Sequence, residues 1–204
     1  KSGGTFTPGA NTVTFDGAGT QTLDAGGTAF NIVSHTGAGT LQLTATVTVN
    51  STFTNSAGIF DANGQTATIT GLATVNGGEY KASTATQTLN GGLTVSGGTF
   101  TGSTGTVDVA AVTLSSGTLT APSGSFLVSG NWTSTAGAFA PGSNTVTFDG
   151  TVLRSVNSTL AFNNISHTGA STLQVLTNAL AVSGTLTNSA GIFSANALAV
   201  TVTG

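Results

Sequence analysis

Cysteine and methionine are both absent from this 204-residue chain, and only 4% of its residues are charged. Without cysteine there is no disulfide framework and no thiolate-bound metal. The lack of oxidisable sulfur is compatible with an extracellular life. The charged residues are Lys1, Lys81 and Arg154 against Asp16, Asp24, Asp61, Glu79, Asp108 and Asp149, whereas an ordinary soluble domain carries about 25%. Three basic side chains cannot neutralise a phosphate backbone or an anionic bilayer, so nucleic acid and lipid surfaces are disfavoured as partners. No apolar run approaches the roughly 18 residues that mark a spanning helix, so membrane insertion is not expected. Lys1 opens directly into a repeated pattern, and the chain is expected to be a mature or excised piece of something longer.

Helix signals are missing too, because Gly, Ser, Thr and Asn dominate and no stretch keeps apolar residues at i, i+3, i+4 and i+7. What stands in their place is a repeat. Glycine, any residue, then a large apolar side chain recurs at Phe6, Phe60, Tyr80, Phe100, Leu119, Phe139 and Phe193. The spacings from Phe60 onward are 20, 20, 19 and 20, while Phe6 to Phe60 and Phe139 to Phe193 are both 54. A longer period lies above this one. Residues 3–71 recur at 136–204, carried by NTVTFDG at 11–17 and 144–150, SHTGA-TLQ at 34–42 and 166–174, and TNSAGIF at 54–60 and 187–193. The shorter units at 72–135 lie between the two copies, and unbroken repetition favours one continuous domain over 1–204.

Within each short unit, period-two stretches such as TVTF at 12–15, TATIT at 66–70 and TQTL at 86–89 alternate with Gly/Asn/Ser turns. Three short strands per coil of about 20 residues make an all-β parallel β-helix, a β-solenoid. Irregular coil lengths and the general right-handed crossover preference favour a right-handed one. Equivalent residues stack about 4.8 Å apart, so the seven ladder residues are expected to form one interior stack of Phe, Leu and Val neighbours. The 54-residue stretches fit either two long coils or three short ones.

Side chains that could carry chemistry are scarce. His35 and His167 occupy equivalent places in Ser-His-Thr-Gly and read as repeated turn residues, since a catalytic or metal constellation needs converging partners. Asp16 and Asp149 end a strand in Phe-Asp-Gly. A glycosidase needs two carboxylates flanking one bond, and these two are 133 residues apart. No phosphate-cradling glycine motif or calcium nonapeptide occurs, and no catalytic residue, metal or cofactor is expected. The strongest surface feature is threonine. Thr12 and Thr14, Thr66 and Thr68, Thr86 and Thr88, Thr145 and Thr147, and Thr201 and Thr203 are expected to align as an outward Thr-x-Thr column, a feature of several ice-binding solenoids. Exposed-strand propensity is the favoured account of the threonines, since Asp108 and the Ser125 coil break the column.

The strings GGTFTPGANTVTFDG at 3–17, LTVSGGTF at 93–100 and VSGNWTSTAGAFAPGSNTVTFDG at 128–150 resemble repeats of large bacterial surface and secreted β-helix proteins of the filamentous-haemagglutinin-like, adhesin type. The resemblance covers essentially the whole chain. It implies a non-enzymatic extracellular rod, secreted or on the cell surface, that serves as an adhesin stalk or filament subunit. Its expected partners are itself, stacking end to end or laterally, and glycans or cell surfaces. An ice- or glycan-binding solenoid is the alternative reading, and a polysaccharide-degrading enzyme the third.

Overall fold

The computed structural model describes Gly4 and residues 6–204; Lys1, Ser2, Gly3 and Thr5, at the opening of the first repeat copy, lie outside the described residues. Among the described residues there are 25 strands and no helix. Every strand pair is parallel, and partners are separated by one turn of chain. The molecule is a β-solenoid of about ten turns, each with three faces.

Face I begins with Thr12–Phe15, Ile32–His35, Phe53–Asn55 and Ala73–Val75 and ends with Thr172–Val175 and Ile192–Ser194. Face II carries Gln21–Leu23, Thr40–Leu43, Ile59–Asp61, Glu79–Lys81 and Ala138–Ala140, and by chain order Leu180–Val182 and Val200–Val202 close it. Face III runs from Val47–Val49 through Ala67–Ile69, Gln87–Leu89, Val107–Val109, Phe126–Val128, Thr145–Phe148 and Asn164–His167 to Leu186–Asn188. The nine-residue strands Leu93–Thr101 and Val112–Thr120 turn the corner between faces I and II, with register shifts around Ser96.

Alternation does the sorting. In a three-residue strand the flanking side chains point in and the central one points out, which is the buried–intermediate–buried pattern of Ala73–Val75, Gln87–Leu89 and Val107–Val109. In the face II strands Ile59–Asp61, Glu79–Lys81 and Ala138–Ala140 the central residue points in instead, whereas in Gln21–Leu23 and Leu180–Val182 it points out. Leu41, Phe60, Tyr80, Phe100, Leu119 and Phe139 are therefore in direct register. The Phe60 and Tyr80 rings lie 4.7 Å apart and those of Tyr80 and Phe100 5.1 Å. Burying each such ring contributes about 1.5–3 kcal/mol, and no single coil could bury it alone.

Five of the seven expected ladder residues thus share one stack, and Phe6 and Phe193 do not. Phe6 packs on Phe30, 5.3 Å away, at a face III position that Phe30 holds by bridging Val49. Phe193 pairs with Leu173 on face I. The reason is arithmetic. A 54-residue stretch is neither two coils nor three but two and two-thirds, so its ends fall on different faces.

The 133-residue repeat behaves the same way. Six whole turns carry Val13 to Trp132 on face I, and two further faces lead to Val146 on face III. The second copy is therefore the first one advanced by six and two-thirds turns and rotated by a third of a turn. TVTF, SH and TN recur in the same mutual register in both copies, Thr14 with Ser34 and Thr54, and Thr147 with Ser166 and Thr187. Only the face that they occupy has changed.

The ladder glycines have a physical cause of their own. A Cβ on Gly58, Gly78, Gly98 or Gly117 would lie 2.1–2.6 Å from the carbonyl oxygen of the stacked glycine one coil before it, and Gly58, Gly78 and Gly117 also have positive φ. Gly78→Ala combines a backbone clash at 2.2 Å with φ +60°. It is expected to cost about 2 kcal/mol or more, read as a lower urea midpoint, whereas alanine at Gly64, which has open space around it, costs only the backbone strain.

Candidate functional surface

Rotation of the repeat redistributes the expected threonine column. Thr66, Thr68, Thr86, Thr88, Thr145 and Thr147 lie at face III, but Thr12 and Thr14 are on face I and Thr201 is on face II with Thr203 just beyond it. The single column read from the sequence is thus three separate pieces. Along face III the central outward residues are Thr48, Thr68, Thr88, Asp108, Leu127, Thr147, Ser166 and Thr187. Asp108 and Leu127 interrupt it.

Face I carries a longer run that sequence reasoning missed. Thr14, Ser34, Thr54, Thr74, Thr94, Thr113, Thr133 and Asn157 are paired in register over eight successive coils, about 4.8 Å apart. The signal was present at Thr54, Thr74, Thr94, Thr113 and Thr133, each centred in a short strand and spaced 20, 20, 19 and 20. The face I segments 53–55, 73–75, 93–95, 112–114 and 132–134 carry one threonine each rather than a Thr-x-Thr pair. Five methyl-and-hydroxyl side chains in a row, flanked by Ser56, Asn76 and Ser96, make a neutral ribbon along the rod.

The histidines are not turn residues. His35 and His167 end inward-facing alternations and are 0% and 3% exposed. In each copy Nδ1 lies 2.6 Å from the Oδ1 of the asparagine one coil later, Asn55 or Asn188. Asn55 donates its Nδ2 to the carbonyls of Gly77 and Glu79, so its oxygen faces the ring and Nδ1–H donates to it. The crosslink between coils is duplicated, buried in the first copy and partly buried in the second, where Asn188 is exposed, and the His35 Nε2 is buried without a hydrogen-bond partner. Two further polar rungs cross the core. The Tyr80 hydroxyl donates to Gln87 Oε1 at 2.9 Å, and burial pushes the Tyr80 phenol well above its ordinary range. Trp132 Nε1 donates to Ser134 Oγ at 2.7 Å, which lies 2.6 Å from Ser158 Oγ.

The charged side chains are scattered along the rod. Asp16 and Asp149 end equivalent strands six and two-thirds turns apart, about 32 Å along the axis. On face II, Lys81 and Asp61 pair at 3.1 Å and Thr101 donates to Glu79 at 2.5 Å. On face III, Asp108 is raised above the ordinary carboxylate range, first by burial and then by the charge of Asp149. No group of three or more His, Asp or Glu that could hold a metal is found among the described residues.

The Asp108 shift has a consequence for stability. A carboxyl whose folded pKa is raised binds its proton more tightly in the native state, so stability falls as pH rises from about 3.8 through the folded value. Asp108→Asn is therefore expected to melt a little higher than the parent at neutral pH and equally at pH 3, in thermal scans at both pH values. Solvent screening at this half-buried site keeps the difference small.

The surface depressions are shallow. One of about 460 Å³ lies at a corner lined by Ser123, Gly124, Ser125, Ser143, Asn144, Thr145 and Thr147, one of about 200 Å³ lies beside the Asp61–Lys81 pair, and one of about 290 Å³ opens at the first coil between Phe6, Val13, Phe15 and Phe30. The chain was compared with protein-family models, curated proteins and solved structures, and nothing matches in any of the three.

Proposed function

We propose that the chain is a non-enzymatic structural rod, a stalk or filament element of an extracellular or cell-surface assembly. The observation that supports this most is the interior stack of coils, from Phe6 on Phe30 at one end to Val182 against Val202 at the other. Each coil is stable only on its neighbours, and the product is an axial span of about 48 Å over ten turns. The neutral Thr/Ser/Asn surface and the absence of sulfur suit an extracellular location, and the surface hydroxyls and amides suit hydrogen bonding to glycans. The test is small-angle scattering combined with assays on acidic and neutral polysaccharides. A rigid particle about 48 Å long without turnover supports the reading. Hydrolysis or elimination of any glycan overturns it.

The face I ribbon favours one second reading, recognition of ice or of a crystalline glycan surface by regularly spaced threonines. Lysine at both Thr74 and Thr94 should then abolish thermal hysteresis or adsorption while leaving the thermal midpoint nearly unchanged. Wild-type protein without hysteresis or adsorption removes this reading.

A further inference from the structure

We infer that the corner between faces II and III holds a neutral, extended oligosaccharide laid along the rod, because two adjoining polar depressions there bring hydroxyl, amide and paired charged side chains together. The inference rests on the non-enzymatic reading above and gives its glycan a place and a class. The smaller depression, about 200 Å³, is lined by Asp61 and Asn63 of one coil, Lys81 and Thr84 of the next and Ser103 of the one after. The larger, about 460 Å³, continues it with Ser123 and Ser125 and then with Ser143, Asn144 and Thr145. The two adjoin, since the Ser123 N–H donates to the carbonyl of Ser103 at 2.8 Å. From Asn63 to Ser143 the corner rises by four coil steps, about 19 Å. Together the two volumes lie within the roughly 300–1,000 Å³ of ordinary ligand sites.

The side chains select the ligand. Lys81 Nζ carries three donors and gives one to Asp61 Oδ2 at 3.1 Å, while Asp61 Oδ1 accepts from the Asn63 N–H at 2.9 Å. Two ammonium donors and a further accepting site on each carboxylate oxygen therefore remain. A donor and an acceptor held this close match adjacent hydroxyls of a sugar ring, because each hydroxyl both gives and takes a hydrogen bond. In the larger depression Asn144 is fixed by donating Nδ2 to the carbonyls of Pro122 and Gly124, at 2.6 and 2.7 Å, and its buried Oδ1 has no hydrogen-bond partner. Other polymers fit less well. The one cation among the lining residues is already paired with Asp61, so an anionic glycan or a nucleic acid finds no net positive charge. A peptide adding as a strand needs a free sheet edge, and the flanking strands Glu79–Lys81 and Gln87–Leu89 are each paired on both sides. No aromatic ring lines either depression, so the affinity is low and the selectivity comes from hydrogen bonds.

The test uses the full chain with cellohexaose, mannohexaose and xylohexaose as extended neutral probes and hexagalacturonate as the charged counterpart. Isothermal titration should give millimolar binding of at least one neutral hexamer, and weaker or no binding of hexagalacturonate. Thr84→Leu and Ser123→Leu each replace an exposed hydroxyl with apolar bulk, one in each depression. Each should weaken that binding about tenfold with an unchanged β-sheet spectrum and thermal midpoint. Amide shifts on titration of the wild type should cluster along this corner. The inference is overturned if no neutral hexamer binds, if hexagalacturonate binds more tightly, if either folded leucine variant binds as tightly as the wild type, or if the shifts fall on the face I threonines. The structural reading survives all four results. A hexamer recovered cleaved would instead overturn that reading, and the inference with it.

Discussion

Deletion of the nineteen residues Leu93–Ala111 is expected to leave a folded rod one coil shorter. The deletion brings Val112 into the place of Leu93 above Ala73, Leu119 over Tyr80 in place of Phe100, and Phe126–Val128 onto Gln87–Leu89 in place of Val107–Val109. Every inward side chain stays inward, because the register of a parallel stack is set by which residue follows which at one-turn spacing. Asp108 leaves with the excised coil, which removes a carboxylate that the fold holds at a cost. Stability in a solenoid is close to a sum of coil and interface terms. The variant should therefore still melt in one transition, and its length should fall by about 4.8 Å. Excising only ten residues, Leu93–Gly102, sets everything after the junction half a turn out of phase. The single transition should then be lost, as followed by β-sheet circular dichroism on heating. Equal tolerance of the two deletions would contradict the coil assignment.

Trp132→Ala is expected to be the most damaging single substitution. Trp132 is 0% exposed and its ring meets Phe126, Phe139, Phe148 and Phe162 at centroid distances of 5.7, 5.0, 6.5 and 5.0 Å. It sits where the coil length jumps, since its register partner one turn on is Val156, 24 residues later. Phe162, which bridges to Val182, carries the stack past that longer coil. Truncating such a ring costs about 3–5 kcal/mol, which in a chain of this size corresponds to a fall of about 10 °C in Tm. Trp132→Phe keeps most of the ring contacts and loses the hydrogen bond to Ser134, so it should cost clearly less. Urea unfolding of the two variants, followed by circular dichroism because the only tryptophan is gone, separates these outcomes. A Trp132→Ala midpoint equal to the parent's would show that this junction is not the hub described.

The period was legible because its cause is local. Gly78 has no Cβ because the carbonyl of Gly58 occupies that space, and Tyr80 is large because Phe60 and Phe100 need a partner at one-turn spacing. Those constraints leave a mark every 20 residues. Faces were not legible, because a face is a running total rather than a local property. TVTF at 12–15 and at 145–148 is the same string, and nothing within it records that two-thirds of a turn has been added between them. That is why the sequence alone places Phe6 and Phe193 in the Phe60 stack, and Thr12, Thr14, Thr201 and Thr203 in one column with the face III threonines. The histidines misled for a different reason. Ser-His-Thr-Gly looks like a turn, but the strand extends through the histidine, and its partner Asn55 stands twenty residues away. The face I ribbon is hard to read because each segment holds a single threonine between two inward residues, both apolar in ATV, LTV and VTL, a pattern that reads first as core.

The rotation of the second copy is the central claim, and one crosslinking measurement tests it in a chain that has no native cysteine. Leu127 and Thr147 are register partners on face III, so their Cα atoms lie at the roughly 4.8 Å spacing of neighbouring strands, within the range that a disulfide spans. If the 133-residue repeat were instead a whole number of turns, Thr147 would occupy the face of its equivalent Thr14 and stack on Thr133. The account predicts that the double variant with Leu127→Cys and Thr147→Cys closes an intramolecular disulfide under mild oxidation and keeps its β-sheet spectrum, while the pair Thr133→Cys and Thr147→Cys stays reduced. A disulfide in the second pair and none in the first would contradict it.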